Sequence, residues 1–286
     1  MRPQLETRSR QVLAALLRNP RMEVFPSSSV SEQLRQLPHG TKVPVTSSPT
    51  RGLDATLDLC EEVAAYGLLP IPHIAARLFT DEAHLNAVLE RLATLDDRDI
   101  FIVGGDSEQP RGEFPSANAL LAAIRNSKHQ FDEIGIAAYP EGHPFLSDAE
   151  LLEALHEKQP FASYMVTQMC FDAEVILRWI TDVREKGIRL PVYIGIPGEV
   201  NVAKLLRIAT RIGVGDSTRF LRKHFGLVRR LLSQDYRPDR LVAALAPYFA
   251  KESYGIRGLH IYTFDQIAET EQWRKKLLAR LETMSA

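Results

Sequence analysis

EIGIAAYPEGHP, residues 133–144, is the stretch on which the reading of the whole chain turns. Ile134, Ile136, Ala137 and Ala138 make an apolar run suited to burial on both faces, as a parallel strand covered by helices requires. Pro140 stops further ladder pairing, so Tyr139, Glu141, Gly142 and His143 fall at the strand's C-terminal mouth. Parallel α/β folds keep their chemistry at that end. An aromatic face, an imidazole and a turn glycine form a candidate cofactor edge there. The plainer alternative is a strand end with a solvated histidine.

Seven more β-rich runs surround it, at residues 22–25, 42–48, 69–76, 99–106, 162–172, 190–198 and 257–265. Helical patterns separate nearly all of them. Leu5, Val12, Leu13, Leu16 and Leu17 predict a leading amphipathic helix. Thr80-Asp81-Glu82 reads as a helix start with Thr80 as the cap, and Gly187 closes the helix that carries Val175, Ile176, Trp179, Ile180 and Val183. The interval at about 201–251 predicts several helices, interrupted at residues 213–216 and at Pro238, before the last strand and a terminal helix over residues 266–284. Eight strands alternating with helices, in a chain near the ~250 residues typical of a closed barrel, predict an α/β protein of the (β/α)8 TIM-barrel type. It is expected to be a single domain over residues 1–286, with an N-terminal helix and extra helices before the last strand. An open doubly wound sheet competes, but no Gly-x-Gly-x-x-Gly run joins an early strand to its helix.

Composition narrows the function. With 45% hydrophobic residues the chain can bury a large core, and a formal net charge of −1 gives no general pull toward nucleic acid or an anionic membrane. An anionic ligand must therefore be held by local groups. The N-terminal stretch has no long apolar run, so neither a signal peptide nor a membrane span is expected. Two cysteines, Cys60 and Cys170, are too few for a disulfide framework, which makes a cytoplasmic setting the default. The histidines show no ligand spacing, and no metal is expected. The run at residues 213–217, GVGDS, reads as a helix cap or an anion-binding turn. Outer barrel helices leave a solvated monomer and a homo-oligomer equally open.

If the barrel closes, Glu23, Thr46, His73, Asp106, Tyr139, His143, Gln168 and Tyr262 converge on one mouth. Glu23 stands out, because a carboxyl facing a barrel interior loses solvation, its pKa rises, and it becomes a candidate general acid. The competing reading is an irregular strand with Glu23 facing water. Asp106, after Gly104-Gly105, can approach a flat ligand and accept from ring nitrogens, and Gln168 can donate and accept along an amide-like edge.

On these residues the chain resembles the methylenetetrahydrofolate reductase family, over about residues 20–270. Residues 22–26 resemble the family's Phe-Glu-Phe-Phe-Pro, residues 137–144 its Ala-Tyr-Pro-Glu-x-His-Pro, residues 167–172 its Thr-Gln-Phe-Phe-Phe-Asp, and residues 260–265 its His-Phe-Tyr-Thr-Leu-Asn. Pro72-His73 and Gly105-Asp106 are shorter matches. The resemblance implies a (β/α)8 barrel that reduces methylenetetrahydrofolate to methyltetrahydrofolate with NADH or NADPH. Glu23 would be the catalytic acid at the bridging nitrogen. Asp106 and Gln168 would hold the pterin, Tyr262 would line the folate site, and Thr46, His73, Gly105, Tyr139 and His143 would meet FAD.

Departures fall on the flavin side. Gly104 stands where the family has an Arg, Glu157 where a flavin-binding Lys is expected, and Thr46-Ser47-Ser48-Pro49 replaces Thr-Tyr-Gly-Ala. Fewer cations near a pyrophosphate predict weak FAD binding or none, with hydride passing directly from the nicotinamide. Two other readings stay open, a folate-binding methyltransferase or demethylation-pathway barrel and a non-catalytic folate-binding subunit.

Overall fold

Local sequence signals set several helix ends in this computed structural model, which describes residues 7–129, 131–143, 146–199 and 238–283. The first helix, α1 (Thr7–Arg18), buries Leu13, Ala14 and Leu17 on the face its spacing predicts. After it come β1 (Arg21–Glu23), α2 (Val30–Leu34), β2 (Lys42–Val45), α3 (Gly52–Ala65), β3 (Leu69–Ala75), α4 (Glu82–Leu92), β4 (Asp99–Val103) and α5 (Ala117–Asn126). The second half continues with β5 (Glu133–Ala138), α6 (Asp148–Lys158), β6 (Tyr164–Thr167), α7 (Ala173–Glu185), β7 (Val192–Pro197), α8 (Pro238–Phe249), β8 (Ile256–Tyr262) and α9 (Ile267–Thr283). Ser147 opens α6 with a reciprocal capping box to Glu150. Gly187, at φ +88°, follows α7 in the left-handed conformation that suits a helix C-terminus.

Every strand pairs in parallel with its sequence neighbour and β1 pairs with β8, so the sheet closes in the order β1 to β8. This is the expected (β/α)8 barrel. All eight predicted strands exist, each shorter than its β-rich run because the polar tails belong to the mouth loops. Two corrections are local. The cap of α4 is Asp81 and not Thr80, since the Asp81 carboxylate accepts the His84 N–H at 2.8 Å. The five-residue α2 had no clear periodic signal and went unpredicted. The helices expected at 201–237, and the 213–217 run, lie outside the described residues.

Strand alternation sorts the side chains into two cores. Outward residues such as Met22, Val43, Ile74, Ile100, Ile136 and Met165 pack beneath the helices, while Ile71, Phe101, Tyr164 and Val166 fill the barrel. Small residues make room for the large ones. A Cβ on Gly135 would come within 2.3 Å of the Tyr164 ring, and one on Gly195 within 2.8 Å of the Tyr262 ring.

The lower end of the barrel is filled by charge and aromatic surface. Arg21 is 2% exposed, lies 4.0 and 3.9 Å from the ring centroids of Tyr164 and Tyr193, and pairs with Asp99 at 2.9 Å and Glu133 at 3.4 Å. Tyr164 donates its hydroxyl to the same Asp99 at 2.7 Å, and Lys42 reaches Asp99 at 2.9 Å. A buried guanidinium is tolerated because its charge is paired and its faces stacked. Among the described residues no helix is long and apolar enough to cross a membrane.

Candidate active site

Because β1 alternates, Arg21 and Glu23 both point into the barrel, Arg21 toward the filled end and Glu23 toward the open one. Glu23 is 5% exposed and sits under a cavity of about 2500 Å³ at the C-terminal ends of the strands. Burial pushes its carboxyl up to about 7, the nearby His73 ring opposes this, and the Asp265 charge adds to it. Glu23 therefore holds a proton through much of the neutral range, and the water-facing alternative is ruled out.

Two imidazoles flank it. His260 Nε2 lies 2.9 Å from Glu23 Oε2, and His73 Nδ1 lies 4.0 Å from the same oxygen. Burial holds both rings neutral, pushing His73 down to about 4 and His260 to about 3. His73 also packs against Phe101 at 4.5 Å between centroids. The Glu23 main-chain carbonyl accepts the Thr263 hydroxyl at 2.6 Å, which ties β1 to the loop after β8.

All nine residues predicted for the site, Glu23, Thr46, His73, Gly105, Asp106, Tyr139, His143, Gln168 and Tyr262, line this one cavity. Tyr139 and His143 meet edge to face at 5.0 Å, and burial, with a further push from the Asp106 charge, raises the Tyr139 phenol to about 12. Gln168 is placed by its main-chain N–H on the Ala138 carbonyl at 2.6 Å. Tyr262 presents its ring while its hydroxyl is held by the Thr167 carbonyl at 3.1 Å. Gly105 has φ +95°, and a Cβ there would sit 3.1 Å from the Ala75 methyl, so the backbone itself forms this part of the wall.

The wall fits a flat heterocycle. Thr46 Oγ1 and His73 Nε2 are buried polar atoms with no hydrogen-bond partner among the described residues, and both residues face the cavity. The cations are arranged differently from the sequence expectation. Glu157 turns away to accept from Asn118, and its neighbour Lys158 lines the cavity, its ammonium pushed down to about 8 by burial. Arg77 also faces the cavity, but its guanidinium is engaged by the Pro115 and Ser107 carbonyls at 2.9 and 3.0 Å and fixes the loop after β4. Lys158 is thus a half-buried cation on this wall, and the more exposed Arg51, Arg178 and Lys186 also line the cavity.

Sequence reading missed His260, Asp265 and Lys158 as site residues. His260 was detectable, since it lies two residues before Tyr262 on β8 and must share its inward face. Asp265 was not, because it depends on two consecutive left-handed residues, Phe264 at φ 51° and Asp265 at φ 55°, for which the sequence offers no glycine. Among the described residues no group of three His, Cys, Asp or Glu side chains is placed to hold a metal ion.

Fold and site together define a (β/α)8 barrel whose mouth opens on a large cavity with a buried carboxyl at its base. The methylenetetrahydrofolate reductase family profile matches residues 29–277, and the chain belongs to that family. It is 27% identical over 174 residues to methylenetetrahydrofolate reductase (NADH) 1 of Arabidopsis thaliana, covering 55% of this chain and 28% of that one. It is 29% identical over 150 residues to 5,10-methylenetetrahydrofolate reductase of Pectobacterium carotovorum, covering 52% and 50%. The matched stretches thus span half or less of these relatives' own lengths. In fold it resembles a Clostridium thermocellum protein that binds two copies of 5-methyl-5,6,7,8-tetrahydrofolic acid, with a TM-score of 0.57 and 11% identity over 93% of this chain and 98% of that one.

Proposed function

We propose that this chain reduces 5,10-methylenetetrahydrofolate to 5-methyltetrahydrofolate with hydride from NADH or NADPH. The observation that carries this reading is Glu23, a buried carboxyl that keeps its proton to about pH 7 beneath a cavity walled by the family's residues. Glu23 gives that proton to the bridging nitrogen of the substrate's five-membered ring. The bond from that nitrogen to the methylene carbon then breaks, leaving an iminium on the other nitrogen, and hydride at the carbon completes the methyl group. Asp106 and Gln168 hold the pterin edge, and the Tyr262 ring lies beside it.

Reduced nicotinamide, or reduced FAD, supplies the hydride when bound. Thr46, His73, Gly105, Tyr139 and His143 would hold its flat ring, with the partnerless Thr46 Oγ1 and His73 Nε2 meeting its polar edge. Lys158, Arg51, Arg178 and Lys186 line the cavity, but none stands at the two positions where the family pattern has its Arg and Lys, which are Gly104 and Glu157 here. This supports weak FAD binding and direct transfer from the nicotinamide. A reducing cytoplasm suits the two buried thiols, Cys60 and Cys170.

The test is an absorbance spectrum of the purified chain with and without FAD, followed by NADH and NADPH oxidation with methylenetetrahydrofolate. Oxidation that depends on the folate is expected, and Glu23→Gln should lower it by about 10²–10⁴ while folate binding persists. No folate-dependent oxidation with or without FAD overturns the reading. A bound flavin bleached by NADH and restored by the folate would replace direct transfer with a flavin relay.

A further inference from the structure

Every described contact to the Glu23 carboxyl falls on Oε2, which meets His260 Nε2 at 2.9 Å and His73 Nδ1 at 4.0 Å. The remaining oxygen, Oε1, is the one left to face the cavity that Glu23 lines. On the far side of the His260 ring, Nδ1 is buried with no hydrogen-bond partner among the described residues. A neutral imidazole carries one proton on either nitrogen. Placed on Nδ1, it would leave a strong donor buried and unsatisfied. Placed on Nε2, it leaves only a lone pair without a donor, the cheaper of the two.

From this we infer that His260 positions the transferable proton of Glu23: the His260 Nε2–H donates to Oε2 and leaves the carboxyl proton on Oε1, facing the ligand. The proton-donor role rests on the reductase reading above, whereas the tautomer does not. When Oε1–H passes its proton to the substrate nitrogen, the negative charge left on the carboxylate is met by an N–H already in place, and that bond strengthens as it becomes charge-assisted. The proton is restored from solvent through the open mouth. The other charged and titratable groups around Glu23 do not take this part. Asp265, after β8, is negative; His73, on β3, is neutral and 4.0 Å away; Tyr262, on β8, is held protonated by burial; and Arg21 is engaged with Asp99 at the far end.

Two measurements on the full chain decide it. In ¹⁵N-histidine-labelled protein, the ring signals absent from His260→Gln identify His260, and they are expected to report the Nε2–H tautomer. In folate-dependent NADH oxidation, His260→Leu should lose about 10- to 100-fold in kcat with KM for the folate changed by less than about threefold. Its alkaline limb should move to higher pH, because the carboxylate has lost a donor. His260→Gln, whose side-chain amide still donates near the same place, should recover most of both effects. An Nδ1–H tautomer, or a limb that stays put or moves to lower pH, overturns the inference. A wild-type chain without folate-dependent oxidation would remove the reductase reading, and the tautomer signal would then judge His260 alone. If the Leu variant does not fold, the wild-type signals and the Gln profile still decide.

Discussion

Glu23 is governed by its burial and by two neighbours, His73 and Asp265, that the sequence places far from it, and each acts in a known direction. Burial raises its pKa, His73 lowers it, and Asp265 raises it. Asp265 stands where the family pattern has Asn, and its carboxylate accepts the Phe25 N–H at 3.1 Å and the Ser27 hydroxyl at 2.6 Å. Asp265→Asn removes the charge and keeps an oxygen for one of those donors, while the Ser27 hydroxyl can turn to accept from the amide NH2. The Glu23 pKa should then fall, and the alkaline limb of kcat/KM should move to lower pH, read in a pH profile of folate-dependent NADH oxidation. Glu23 itself was legible because a carboxyl in an apolar strand needs a reason. Asp265 was not, because nothing in Tyr-Thr-Phe-Asp announces a left-handed pair that folds the loop back over β1.

At the scale of elements, β1 shows how three residues carry two jobs. Arg21 and Glu23 face inward at opposite ends, while Met22 packs outward at 1% exposure. Among the described residues Arg21→Met leaves Asp99, which is 1% exposed, with only Lys42 and the Tyr164 hydroxyl as side-chain partners. A loss of roughly 3 kcal/mol is expected, measured by urea unfolding, because one member of a buried ion pair has been removed. Arg21→Met with Asp99→Leu should recover part of it. The β-rich runs announced all eight strands, since β-branched and aromatic residues mark them. Their ends were less legible, because a strand stops where its neighbour's register stops, and that is a property of the pair. The Arg21 cluster was hidden for a similar reason: its members come from β1, β2, β4, β5, β6 and β7 and meet only when the barrel closes.

For the whole molecule, the buried acid and imidazoles make stability depend on pH in opposite senses. Burial raises the folded Glu23 pKa to about 7 from its ordinary value of 4.5. Its contribution is full below the unfolded pKa and is lost as pH rises through about 7. His73 and His260, held near 4 and 3 against 6.5, contribute above pH 6.5 and lose that contribution as pH falls. Glu23→Gln should therefore raise the unfolding temperature at pH 8, by an amount corresponding to on the order of 2–3 kcal/mol, and leave it nearly unchanged at pH 4.5, in paired thermal melts. Equal shifts at both pH values would show that Glu23 is not buried as an acid.

One more consequence follows from the stacked guanidinium between Tyr164 and Tyr193. Among the described residues a barrel stoppered at that end opens at one mouth, so in the proposed reaction the molecule that brings hydride and the molecule that receives it would use the same threshold. Whichever arrives first sets the waiting time of the other, and the geometry of the floor becomes visible in the order of a kinetic queue.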